Sequence, residues 1–104
     1  MTFFKKQEPV VHELPALYEE LLPSERREVR EQYVEQQGGF CMHCFGCLKQ
    51  VPPSDITDKP VRPELYPSNF FDHPVHLHHS HDTGLTLGAV HAYCNAVLWE
   101  YHNE

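Results

Sequence analysis

Leu14, Leu17, Tyr18, Leu21 and Leu22 recur at helical spacing, with Pro15 near the start and Glu13, Glu19 and Glu20 left for solvent. This predicts a first helix, broken at Pro23. Ser24 is placed to cap a second helix running to about Gln37, with Val29 and Tyr33 four apart on one face. Gly38 and Gly39 end it, because glycine readily takes the left-handed C-terminal conformation. A Cys41-to-Cys44 turn follows directly. Residues 1–12 show no clear period and read as an arm. Residues 51–74, with Pro52, Pro53, Pro60, Pro63, Pro67 and Pro74, read as an irregular, proline-stiffened loop. Val75 to Leu77 and Leu85 to Val90 predict two short strands, joined by an Asp82-Thr83-Gly84 turn. Tyr93 to His102 reads as a last helix whose apolar surface comes from Ala96, Val97, Leu98 and Trp99. Strand, turn, strand, helix is the expected core of an α+β fold, with no internal repeats.

At 104 residues the chain is expected to form an arm over 1–12 and one domain over 13–104. So small a chain buries a modest core, and a structural metal is a common supplement. No apolar run is long enough to span a bilayer and no secretory signal is evident, so the cytoplasm is the expected location. In a reducing compartment cysteines usually serve metal binding or catalysis. Their spacing at 41, 44, 47 and 94 fits a metal better than a two-bridge framework, which stays open. The formal charge of −7 argues against a nucleic-acid protein, since phosphate neutralisation relies on Lys and Arg. Bound divalent cations would offset part of it. The basic residues also cluster, as Lys5 with Lys6 and as Arg26, Arg27 and Arg30. Such an arginine row is more often a solvated helix face; contact with DNA phosphates is the alternative.

Zinc prefers four nitrogen or sulfur ligands in a tetrahedron. Cys41-x-x-Cys44 offers two thiolates from one turn, and His91-x-x-Cys94 offers the other pair beside the last helix. Cys41, Cys44, His91 and Cys94 are therefore the expected ligands of a structural zinc, with Cys47 and His43 as competitors. Buried, unligated cysteines are the plainer alternative. Between the half-sites stands a second group, His76-Leu77-His78-His79-Ser80-His81. One metal holding the fold and another doing chemistry points to a small metal-dependent nuclease.

Three segments together carry a resemblance. Tyr33-Val34-Glu35-Gln36-Gln37-Gly38-Gly39-Phe40-Cys41-Met42-His43-Cys44 resembles the helix, Gln-Gly-Gly and Cys-x-x-Cys of the phage recombination endonuclease VII family, within the wider HNH (ββα-metal) nucleases. His76 to Gly84 resembles that family's His-x-Asp-His-Asp-His-x-Thr-Gly run, and His91-Ala92-Tyr93-Cys94-Asn95 its Cys-x-x-Cys-Asn. The order is preserved over roughly residues 25–98. His91 replaces a cysteine, His78 stands where that family has a metal-binding aspartate, and Ser80 replaces a second aspartate. A counterpart of the family's C-terminal region, used in dimerisation and junction recognition, is not evident. The resemblance thus implies phosphodiester cleavage more than Holliday-junction resolution, in a ββα-metal domain with N-terminal helices, a DNA partner and a phage setting. Recombination or packaging proteins are possible partners in the host cytoplasm; monomer or homodimer stays open.

On this resemblance His79 is the general base, its unperturbed pKa lying near neutrality. A backbone carbonyl on its other ring nitrogen is expected to hold the tautomer. His78 and Asn95 are the expected ligands of a catalytic divalent ion, with Asn95 turned about 100° from Cys94 on the helix. His78 and His79 must share a site although strand neighbours alternate, which requires a bend there. A histidine ligand shifts preference from Mg2+ toward Mn2+, Ni2+, Co2+ or Zn2+. His81 and His76 are second-tier candidates, His81 for phosphate contact or leaving-group polarisation. His12, His73 and His102 lack ligand spacing and read as structural or surface residues. Two other classes compete: a catalytically inactive, zinc-stabilised DNA- or protein-interaction module, which the net acidity favours, and a metal-buffering protein using the histidines of 73–81.

Overall fold

The computed structural model describes residues 11–103, so Lys5, Lys6 and most of the expected arm lie outside the described residues. Val75–His79 (β1) and Thr86–His91 (β2) pair antiparallel, and Ala92–His102 (α3) follows β2 without a loop. β1 extends through both His78 and His79, beyond the expected end at Leu77. The ladder runs from Val75 opposite His91 to His78 opposite Gly88, then shifts so that His79 faces Thr86. Leu87 is thereby left without a partner in the ladder, and a bulge of this kind re-aims the side chains beside it. Ser80 organises the turn: its Oγ accepts the Asp82 and Thr83 N–H groups at 3.2 Å, and Gly84 takes φ +76°.

Helix α1 spans Pro23–Gln36. Pro23 opens this helix; it breaks nothing, because its missing N–H is one that no first-turn residue uses. Ser24 does not cap; Glu25 Oε1 accepts the Leu22 N–H at 2.9 Å. Val29 is fully buried, and the Tyr33 hydroxyl reaches Thr86 Oγ1 at 3.0 Å, so the expected face does pack on the hairpin. Gly38 and Gly39, at φ +67° and +82°, end the helix.

The first expected helix does not form; only Tyr18–Glu20 makes a single 3-10 turn. The stretch bonds to the hairpin: Thr86 N–H donates to Ala16 O (2.8 Å), Ala16 N–H to Thr86 Oγ1 (2.9 Å) and Tyr18 N–H to Gly84 O (2.9 Å). A helix so short is marginal in water, and bonds to the hairpin outcompete it. The proline-rich loop holds two short helical turns that its composition did not predict, Ser54–Thr57 (α2) and a 3-10 turn at Pro63–Leu65. It is tied to α3: Tyr101 hydroxyl donates to Pro60 O, Tyr93 hydroxyl to Thr57 O and Lys59 O, and Arg62 and Tyr66 both donate to Glu100. Val29, Leu48, Ile56, Val90, Val97 and Leu98 share one core beneath these elements. Among the described residues no helix is long and apolar enough to cross a membrane.

Candidate functional site

Cys41 and Cys44 lie in the turn after α1, His91 ends β2 and Cys94 stands in the first turn of α3. Their donor atoms all fall within 4.8 Å of one another. His91 Nδ1 is 3.4 Å from Cys44 Sγ and 3.6 Å from Cys94 Sγ. Tetrahedral zinc, with bonds of about 2.3 Å to sulfur and 2.0 Å to nitrogen, sets that edge at about 3.5 Å. His91 Nε2 faces Cys47 O (2.9 Å) and Gln50 O (2.8 Å), so it carries the ring proton and leaves Nδ1 as the lone pair among the sulfurs. The turn turns N–H groups toward sulfur, His43 N to Cys41 Sγ and Gly46 N to Cys44 Sγ, both at 3.4 Å. The Cys94 thiol, hydrogen-bonded to the Cys41 sulfur, holds Cys41 below the usual thiol range. The same hydrogen bond and burial push Cys94 up, and burial pushes Cys44 up. Crowded thiolates repel one another, which a cation relieves. The four residues could therefore hold a metal such as zinc. All four cysteines are free, so the two-bridge framework does not occur. Cys47 offers His91 its carbonyl, and the His43 ring faces His102 at 5.8 Å. Neither competitor joins the group.

The second cluster lines a cavity of about 740 Å3. His76, His78, His79, His81 and Asn95 all border it, and so do Arg26, Arg27 and Arg30 of α1. The bulge explains how adjacent histidines of one strand share a cavity. His78 is 3% exposed, with Nδ1 at 3.2 Å from Asn95 Oδ1. Asn95 Oδ1 can only accept, so His78 Nδ1–H donates to it. Adjacent ligands of an octahedral ion with bonds of about 2.1 Å sit about 3.0 Å apart, so the two atoms are also close enough to bind one ion once His78 Nδ1 gives up its proton. A relay fixes the amide. His76 Nε2 donates to Phe70 O (2.7 Å), which leaves His76 Nδ1 to accept from Asn95 Nδ2 (3.1 Å) and turns Oδ1 toward His78. Burial holds His76 below the usual histidine range, hence neutral.

His79 stacks on Tyr18 with ring centroids 3.9 Å apart and planes 11° from parallel, and His81 lies 5.2 Å beyond. Among the described residues stacking holds this ring; the expected backbone carbonyl does not, because the side chain faces the Tyr18 turn. Burial first, then the nearby His81, lower its pKa and keep it neutral at pH 7. The Arg26 guanidinium sits 4.1 Å over the Tyr18 ring, and its Nε donates to Tyr18 O. Burial lowers the Arg30 pKa, yet a guanidinium stays cationic at neutral pH. Of the remaining histidines, His12 lies 3.4 Å from Glu28, while His73, which borders the cavity, sets its Nδ1 2.9 Å from Val75 O and 3.2 Å from Val75 N.

Tyr66, Phe70 and Trp99 also border the cavity, and motif spacing did not single them out. The aromatic run Tyr66, Phe70, Phe71 in an otherwise polar, proline-rich loop is the signal that marks them. Compared with known proteins, the chain matches no family model, no curated protein and no solved structure.

Proposed function

We propose that the protein is a metal-dependent DNA endonuclease of the HNH type, resembling endonuclease VII, with β1, β2 and α3 as its ββα-metal element. Cys41, Cys44, His91 and Cys94 hold a structural zinc in this reading. The observation that carries it is the convergence on one cavity of the His78–Asn95 donor pair, His79 and three arginines. His79, neutral at pH 7, takes the proton of the attacking water. Arg26, Arg27 and Arg30 hold the phosphate, giving an overall acidic chain one cationic wall. His78 and Asn95 would hold the divalent ion, which supplies charge stabilisation at the phosphate and the departing 3′ oxygen. His76 keeps the Asn95 oxygen aimed, and His81 stands near His79 for phosphate contact. The products carry 5′ phosphates.

A catalytically inactive interaction module is the second reading, and the Tyr18 stack favours it by covering His79. Stacking covers a ring face, however, whereas the ring nitrogens lie in the plane and remain able to exchange a proton. Plasmid cleavage across Mg2+, Mn2+, Ni2+, Co2+ and Zn2+, with ligation of the products, tests the proposal. Ligatable 5′-phosphate ends, with Mg2+ not the best activator, are expected. Activity in Mg2+ with none in Mn2+ or Ni2+ contradicts the metal assignment, and a folded, zinc-loaded chain that cuts with no ion supports the module.

A further inference from the structure

The cavity has a second wall that phosphodiester hydrolysis does not use. We infer that the cavity binds an unpaired nucleotide, the base stacked on Trp99, which Tyr66 and Phe70 buttress, and the phosphate held by the arginines. The inference rests on the nuclease reading and names its substrate class: single-stranded DNA, or duplex DNA with a locally unpaired base.

The aromatic wall is set before any ligand arrives. Tyr66 lies 4.4 Å from Phe70 and meets Trp99 edge-on at 5.8 Å, and Phe70 meets His76 edge-on at 4.5 Å. The Tyr66 hydroxyl donates to Glu100 at 2.9 Å, and Glu100 also accepts from the Arg62 backbone and side chain. Rings so fixed lose little freedom on binding. Trp99 nevertheless keeps 40% of its surface open, although Ala96, Val97 and Leu98 beside it are buried.

Arg26, Arg27 and Arg30 of α1 border the same cavity. A cavity bordered by both aromatic rings and guanidinium groups suits a ligand with a planar ring joined to an anion by a short spacer, as in a nucleotide. In an intact duplex the base faces are hidden in the stack, and only an unpaired base offers a face to an aromatic side chain. A volume of about 740 Å3 falls in the usual range of roughly 300–1,000 Å3 for small-ligand sites. The charge of −7 weakens attraction to a duplex, whose phosphates are dense. Stacking supplies attraction that does not depend on net charge.

Trp99 is the single tryptophan of the chain, so its fluorescence reports on the wall directly. Three probes suffice, without added divalent ions: a short oligothymidylate, an abasic strand of equal length and charge, and a blunt hairpin duplex. Oligothymidylate is expected to quench Trp99 and to bind more tightly than the other two. Trp99→Ala should weaken oligothymidylate binding, followed by anisotropy of a labelled strand, by about ten- to one-hundred-fold, and Trp99→Phe should retain most of it. Equal binding of the abasic strand or the duplex, or unchanged binding by Trp99→Ala, overturns the inference. Plasmid cleavage without any preference for unpaired strands also overturns it, while the nuclease stands. Single-strand preference with Trp99 quenching but no cleavage removes the nuclease and sustains the stacking wall.

Discussion

Removing the metal from the Cys41, Cys44, His91 and Cys94 group should unfold the domain. The group joins the turn after α1, the end of β2 and the start of α3, and Cys41, His91 and Cys94 are at most 3% exposed. Domains are stable by about 0.05–0.15 kcal/mol per residue, which over 104 residues is about 5–15 kcal/mol. Structural zinc contributes apparent free energies of about 10–16 kcal/mol in small domains. The metal term is thus of the same size as the whole stability expected of this chain. The assay is far-UV circular dichroism and thermal melting before and after chelation, with zinc counted by atomic absorption. One zinc per chain, loss of the cooperative transition on chelation and its return on adding zinc are expected. Each kcal/mol moves the midpoint of a domain near this size by about 4–8 °C. A metal-free chain melting within about 5 °C of the loaded one would therefore refute the reasoning, as would a purified, folded chain without zinc.

Three further outcomes follow from particular contacts. His76→Phe keeps the edge contact with Phe70 but removes the acceptor for Asn95 Nδ2; it should cut cleavage by about 10–100-fold and move the Mn2+ activation curve to higher concentration. At Gly88 an added Cβ would stand 2.7 Å from Met42 Sδ and 2.8 Å from Gln37 Oε1, which accepts the Ala89 N–H. Gly88→Ala should therefore cost about 1–3 kcal/mol, read as a lower melting midpoint. If Arg30 faces a phosphate, Arg30→Ala should lower the salt slope of DNA binding by about one, measured by titration at several salt concentrations.

What the sequence makes legible here is local. Cys-x-x-Cys and His-x-x-Cys each bring two donors together within a single turn, so spacing alone identifies them. The hairpin and last helix were legible for the same reason, although β1 ran further because the bulge lets both histidines stay in the strand. Around Leu17 helical spacing competes with hydrogen bonds to Thr86 and Gly84, residues distant in sequence, and those bonds prevail. The Tyr18 stack on His79 depends on where that segment docks, which local spacing does not carry. The aromatic wall is equally hidden, since it joins an aperiodic loop to α3 through tertiary hydrogen bonds, among them those of Tyr66 and Arg62 to Glu100 and of Tyr66 to Ala96 O.

The most direct test of the central claim is plasmid cleavage by wild type and His79→Ala, with Mn2+ present and zinc content matched. Cleavage by wild type, with loss in His79→Ala while the melting curve and bound zinc are unchanged, is the predicted result. Equal cleavage by both would contradict the assignment of His79, and no cleavage by wild type with any divalent ion would contradict the nuclease.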